Sequence, residues 1–84
     1  MPFTVLQGQY LAFIRAYSVI NRRAPAEADL QRFFGVTPPT THQMILALEK
    51  RGFIARSPGV ARSIRLLIQP DDLPSLQEPT RSRE

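Results

Sequence analysis

The sequence has no cysteine, a single histidine, and only seven acidic residues against eleven lysines and arginines. Without cysteine there is no disulfide framework, no thiolate nucleophile and no Cys-based zinc site. Any nucleophile system that uses a histidine base would rest on His42 alone, and four of the seven carboxylates fall in the last sixteen residues. The four glycines (Gly8, Gly35, Gly52, Gly59) are too scattered for a phosphate-cradling loop, and no ligand cluster suits a metal. No apolar run reaches the roughly 18 residues of a membrane span. The N-terminus lacks the basic-then-apolar order of a secretory signal, because the stretch from Phe3 to Asn21 is amphipathic and carries Arg15. An enzyme, a cofactor, a metal, a membrane partner and a small-molecule substrate are therefore not expected, and the expected location is the cytoplasm.

What is present fits one small domain of 84 residues, with an apolar share of 43% that is ordinary for a globular chain. The charge divides unevenly. Residues 1–68 hold nine arginines and lysines against three acids, a surplus of six, whereas residues 69–84 hold two against four. A compact basic body attracts polyanions, because neutralising phosphates releases condensed counterions.

Three helices are expected in the basic part. Thr4 and Gln7 match a capping box, and Leu6, Tyr10, Phe13, Ile14, Tyr17 and Ile20 form one apolar stripe at helical spacing as far as about Asn21. The two tyrosines are expected to pack in the core with solvated hydroxyls. Pro25 opens a second helix, with Glu27 and Asp29 at its positive end and Leu30, Phe33 and Phe34 on its buried face. Gly35 stops it. Thr37 as N-cap and Pro38 at the first helical position start a third helix over 38–51, and the short glycine corner between the two gives a helix-turn-helix.

The third helix has two faces. Thr41, Ile45 and Leu48 stack toward the core with Met44 at the edge, while Pro39, Gln43, Leu46 and Lys50 lie opposite, flanked by Thr40 and His42. Gly52 closes it, with Lys50 and Arg51 at the negative end. Phe53 to Arg56 is expected as a strand, Ser57-Pro58-Gly59-Val60 as a turn, and Arg62 to Ile68 as the partner strand. The fold class is thus mainly α with a small β-hairpin, a three-helix winged helix-turn-helix over residues 1–68. Residues 69–84, with three prolines and four acids, are expected to be a flexible acidic tail with room for a docked turn at Leu73 or Leu76.

Several pieces in this order resemble the DNA-binding domain of the LexA repressor family. They are Leu11-Ala12-Phe13-Ile14, the Pro25 helix start, Phe34-Gly35-Val36-Thr37-Pro38, Ala47-Leu48-Glu49-Lys50-Arg51-Gly52-Phe53-Ile54, and the run Ser57 to Leu66. The likeness covers about residues 3–68, and MarR-type regulators share the general layout. It implies a cytoplasmic, nucleoid-associated bacterial transcriptional regulator, a repressor by analogy. LexA-like repressors continue into a self-cleaving Ser-Lys peptidase domain that also makes their dimer. This sequence stops at Glu84, so neither is expected of it. Ala26 replaces the usual capping serine of helix two, and Pro39, Thr40, His42 and Gln43 differ from the side chains the family uses to read bases. The LexA operator is therefore not implied.

The expected ligand is double-stranded DNA. Gln43 suits adenine in the major groove, His42 suits guanine N7 or a phosphate, and Leu46 suits a thymine methyl, with Pro39 and Thr40 beside them. Thr37, Lys50, Arg51, Arg56, Arg62 and Arg65 are the expected phosphate and wing contacts. A different class stays open beside this one: a winged-helix interaction or dimerisation module, in which Met44, Leu46 and Leu67 meet a partner or a second copy. A homodimer is compatible with either.

Overall fold

The computed structural model describes residues 2–79. In chain order it contains α1 (Val5–Asn21), α2 (Glu27–Phe34), α3 (Pro38–Lys50), β1 (Ile54–Ala55), β2 (Arg65–Leu66) and a short 3-10 turn over Pro70–Asp72. The capping box at the start of α1 is reciprocal: the Gln7 N–H donates to Thr4 Oγ1 and the Thr4 N–H to Gln7 Oε1, both at 3.0 Å. The buried part of α1 is concentrated between Gly8 and Ile14. Leu6 and Ile20, both expected on the apolar stripe, are 53% and 77% exposed. A helix of 17 residues is about 25 Å long, so its ends overhang a core gathered around its middle. Leu11, absent from the expected stripe, is fully buried.

α2 has no side-chain acceptor at Ala26, and the position is compensated from the other direction. The Ala26 N–H donates to Asp29 Oδ2 at 2.8 Å. Gly35 ends the helix at φ 66°, and Gln31's carbonyl accepts from both Gly35 and Val36. Two residues later Thr37 caps α3, accepting from the Thr40 N–H at 3.4 Å. Ring stacking ties this corner to α1: Tyr10 and Phe34 lie parallel with centroids 4.0 Å apart, and Phe13 meets Phe33 at 4.6 Å.

Thr41, Ile45 and Leu48 are the buried residues of α3. The helix ends at Lys50, one residue before the expected limit. Gly52 sits just beyond the cap at φ 79°, and the Gly52 and Phe53 N–H groups reach the carbonyls of Glu49 and Leu48, both at 3.0 Å. That pair of bonds is a Schellman closure, and it turns Phe53 and Ile54 directly into the core.

The hairpin is shorter than expected. Ile54 faces Leu66 and Ala55 faces Arg65, with one further bond from the Leu67 N–H to Phe53. Pairing stops there because Arg62 takes a left-handed backbone, φ 56°, and Ser63 gathers the loop onto its hydroxyl. Ser63 Oγ donates toward the carbonyls of Ser57 and Val60 and accepts the Ser57 N–H. A side chain thus satisfies the loop where a ladder was expected.

The tail expected to be flexible from residue 69 is docked as far as residue 79. Leu73 and Leu76 pack against the core, and the Gln9 carboxamide holds the backbone between them and the end. Its nitrogen donates to the Ser75 carbonyl at 2.9 Å and its oxygen accepts the Gln77 N–H at 2.7 Å. Gly8 permits this approach, since a Cβ there would lie 2.9 Å from Phe3 and 3.1 Å from Pro74. Residues 80–84, included in the tail as read from sequence, lie outside the described residues. The whole is a three-helix winged helix-turn-helix with a small wing. Among the described residues no helix is long and apolar enough to cross a membrane.

Candidate nucleic-acid interface

α3 presents Pro39, Thr40, His42, Gln43 and Leu46 to solvent on one side, with Thr37 and Lys50 exposed at its two ends. The face is set by the burial of Thr41, Ile45 and Leu48 behind it. The hydroxyls of Thr37 and Thr40 are 3.0 Å apart, so the start of α3 offers a linked pair of polar groups. Beside this face, a cleft of about 430 Å³ separates α3 from the wing, with Glu27, His42, Arg56 and Gly59 among its walls.

His42 does not point freely outward. Its Nδ1 is 3.2 Å from both carboxylate oxygens of Glu27, at the start of α2. The ring therefore bridges the two helices of the helix-turn-helix, and Nε2 is the ring nitrogen left without a protein partner among the described residues.

Three of the expected phosphate contacts are turned toward the protein. Arg62 donates to the Tyr17 hydroxyl at 3.0 Å, to Asp29 Oδ2 at 3.1 Å and to the Ala24 carbonyl at 3.2 Å. Its left-handed backbone aims the side chain inward, across the base of the wing. Tyr17, expected to keep a solvated hydroxyl, is thereby an acceptor. Arg56 pairs with Glu49 at 3.1 Å and its side chain is only 15% exposed. Arg51 donates to the Pro2 carbonyl at 2.8 Å and lies over the Phe53 ring, 5.3 Å from its centroid. Lys50 and Arg65 are exposed, and neither has an ion-pair partner among the described residues.

The residue that sequence reasoning missed is Asp29, taken there only as a complement to the helix dipole. It is a hub. One carboxylate oxygen receives Arg32 at 2.6 Å, and the other receives Arg62 and the Ala26 N–H. Burial opposes its ionisation, but the Ala26 N–H, the Arg62 charge, the Tyr17 hydroxyl and the Arg32 charge together hold its carboxyl below the usual aspartate value. Arg62 is correspondingly held above the ordinary guanidinium value, first by the Tyr17 hydroxyl and then by Asp29. The only local sign of this hub was a carboxylate three residues past an uncapped helix start.

The family model described as MarR family matches residues 17–61, from the end of α1 through all of α2 and α3 to the tip of the wing. The chain belongs to the MarR family. Pairwise likeness runs to proteins named LexA repressor. That of Thermosipho africanus (strain TCF52B) is 40% identical over 65 residues, covering 77% of this chain and 33% of the relative. That of Thermosipho melanesiensis is 39% identical over 64 residues, covering 76% and 32%. A LexA repressor of Novosphingobium aromaticivorans is 46% identical over 79 residues, covering 93% of this chain and 34% of the relative. The chain thus spans about a third of the length of these relatives. Its MarR-family match and its LexA-like sequence meet in one architecture, the winged helix-turn-helix.

Proposed function

We propose that the chain binds double-stranded DNA with sequence preference and acts as a small bacterial transcriptional regulator, working as a repressor at the nucleoid. The observation that carries this reading is the solvent-facing side of α3. It is polar, sparsely charged and bordered by a wing, in a chain similar to proteins named LexA repressor. The major groove, about 12 Å wide, admits one helix. Inserted there, Gln43 can pair its amide with adenine N6 and N7, Leu46 can cover a thymine methyl, and Pro39 and Thr40 shape the approach. Thr37 and Thr40 at the helix start, with Lys50 and Arg65, are the groups that grip phosphate. His42 enters as a positioning group through Glu27, and Arg51, Arg56 and Arg62 act by holding the wing and helix end in place. No catalytic step is assigned to these residues.

Selection from a random duplex pool tests the proposal directly. Enrichment of a short common motif is expected, and a motif repeated as a palindrome would place two copies on one site. Absence of enrichment, together with no retention on duplex DNA at low salt, would remove the reading. A second reading rests on a separate observation: an apolar groove between α1 and α3, walled by Leu6, Met44 and Ala47, and an exposed Leu67. It describes a module for a protein partner or a second copy. Concentration-dependent dimerisation without salt-sensitive retention on DNA would favour it.

A further inference from the structure

Nine arginines and lysines lie in residues 2–79, and the structure separates them into two groups. Arg32, Arg51, Arg56 and Arg62 are engaged with carboxylates or carbonyls of the protein itself. Arg15, Arg22, Arg23, Lys50 and Arg65 are exposed and have no hydrogen-bond or ion-pair partner among the described residues. Four of those five, all but Lys50, line a single hollow of about 480 Å³ between the end of α1 and β2. No carboxylate lines it.

The clustering follows from the fold. Arg15, Ser18 and Arg22 recur at helical spacing on one side of α1, and Arg23 continues from the left-handed Arg22 that ends the helix. Arg65 arrives from the wing strand. The C-terminal dipole of α1 gives a favourable place to Arg22 and Arg23, but it does nothing for Arg15, two turns earlier, or for Arg65 on another element. Four like charges around one hollow repel in the free protein, and they gain most from a ligand carrying several negative charges in a row.

The position of the hollow identifies that ligand. Ile64 lines both this hollow and the cleft beside α3, so the two flank the base of the wing. Ala24, also on its wall, immediately precedes the Pro25 start of α2. We infer that Arg15, Arg22 and Arg23, with Arg65, form a second phosphate-binding site. It takes the backbone of duplex DNA beyond the segment read by α3, on the far side of the wing. The rise from Arg15 to Arg22 is about 10 Å, long enough to follow more than one phosphate. Guanidinium groups suit the task, because their planar forks bind phosphate oxygens in pairs. The inference rests on the DNA-binding reading above and adds three residues of the α1 end, Arg15, Arg22 and Arg23, to the groups assigned there, sharing only Arg65 with them.

The test uses the full chain and the duplex motif recovered from selection, once with a full helical turn of flanking DNA on each side and once trimmed to the motif. The wild type should lose affinity and salt sensitivity when the flanks are removed. The triple variant Arg15→Gln/Arg22→Gln/Arg23→Gln, which keeps only Arg65 of the four, should lose most of the difference between the two duplexes, its salt response on the long one falling close to that of the trimmed one. Each lost contact removes about 0.9 from the slope of log affinity against log salt. Three contacts therefore correspond to a wild-type loss roughly 40-fold larger than the variant's between about 50 and 200 mM salt. The double variant Arg15→Gln/Arg23→Gln spares the left-handed Arg22 and should show about two thirds of the change. The site is ruled out if the wild type ignores the flanks, or if folded double and triple variants keep the wild-type slope on the long duplex. The DNA reading itself would fail separately, through a wild type that selects no duplex and binds none at low salt; the second site would fall with it.

Discussion

At the scale of single residues, the wing arginines separate by what they touch. Arg62 looks like a phosphate contact in the sequence, and its substitution by alanine would then lower both affinity and salt slope. Bound to Tyr17, Asp29 and Ala24, it acts through the wing's position. Arg62→Ala is therefore expected to weaken DNA binding roughly tenfold while leaving the salt slope unchanged, as titrations at several salt concentrations would show. Gln43 belongs to the other group, exposed and without a protein partner among the described residues. Gln43→Ala should reduce discrimination at one base-pair position by about 1–3 kcal/mol and change binding to non-specific duplex little. Competition between the selected motif and its single-base variants measures this.

Among the elements, α3 was the most legible and the wing the least. The start of α3 is signalled by Thr37-Pro38, its end by Gly52, and its inner face by Thr41, Ile45 and Leu48. All of these are local signals within a few residues. What set the shape of the wing and the course of the tail lay far off in sequence: Arg62 reaches Asp29 across 33 residues, and Gln9 reaches Ser75 across 66. Alternation in 62–68 suggested a longer strand because no local pattern announces that an arginine will turn back into the body. The candidate site divides in the same way. Exposure of Gln43 and Leu46 follows from helical periodicity, whereas the engagement of His42, Arg51 and Arg56 with distant groups does not.

Thr41 Oγ1 is the one buried side-chain polar atom without a hydrogen-bond partner among the described residues. Replacing its hydroxyl in Thr41→Val should stabilise the fold by about 1 kcal/mol, visible as a raised denaturation midpoint with an unchanged m-value. Gln9→Ala removes both bonds to the docked segment. It should cost about 1 kcal/mol and accelerate amide exchange over 73–79 ahead of the helices.

At the scale of the whole molecule, stability is tied to acidity through one carboxyl. Asp29 has a depressed pKa in the folded state, so its contribution is fully present above the unfolded aspartate value of about 3.9 and is lost as pH falls through the lower folded value. The wild type should thus lose thermal stability on acidification below about pH 4 more steeply than Asp29→Asn. At neutral pH the variant should melt on the order of 5 °C lower. Thermal melts of both proteins across this range decide the point. The net charge also takes on a different meaning at this scale. The basic surplus of residues 1–68 is, in space, concentrated at the end of α1 and β2, away from the exposed face of α3.

The docking of residues 73–79 settles how the molecule can be handled. Pro2 is tied by Arg51 next to the C-terminal end of α3, and Gln77 to Pro79 share a groove with Thr40 and Met44 near its start. Both described ends of the chain thus bracket α3. A bulky group attached at residue 2 or residue 79 would crowd α3 and any duplex bound to it. Small dyes at residues 2 and 79 would instead serve as paired sensors, one for each end of the helix as it enters the groove.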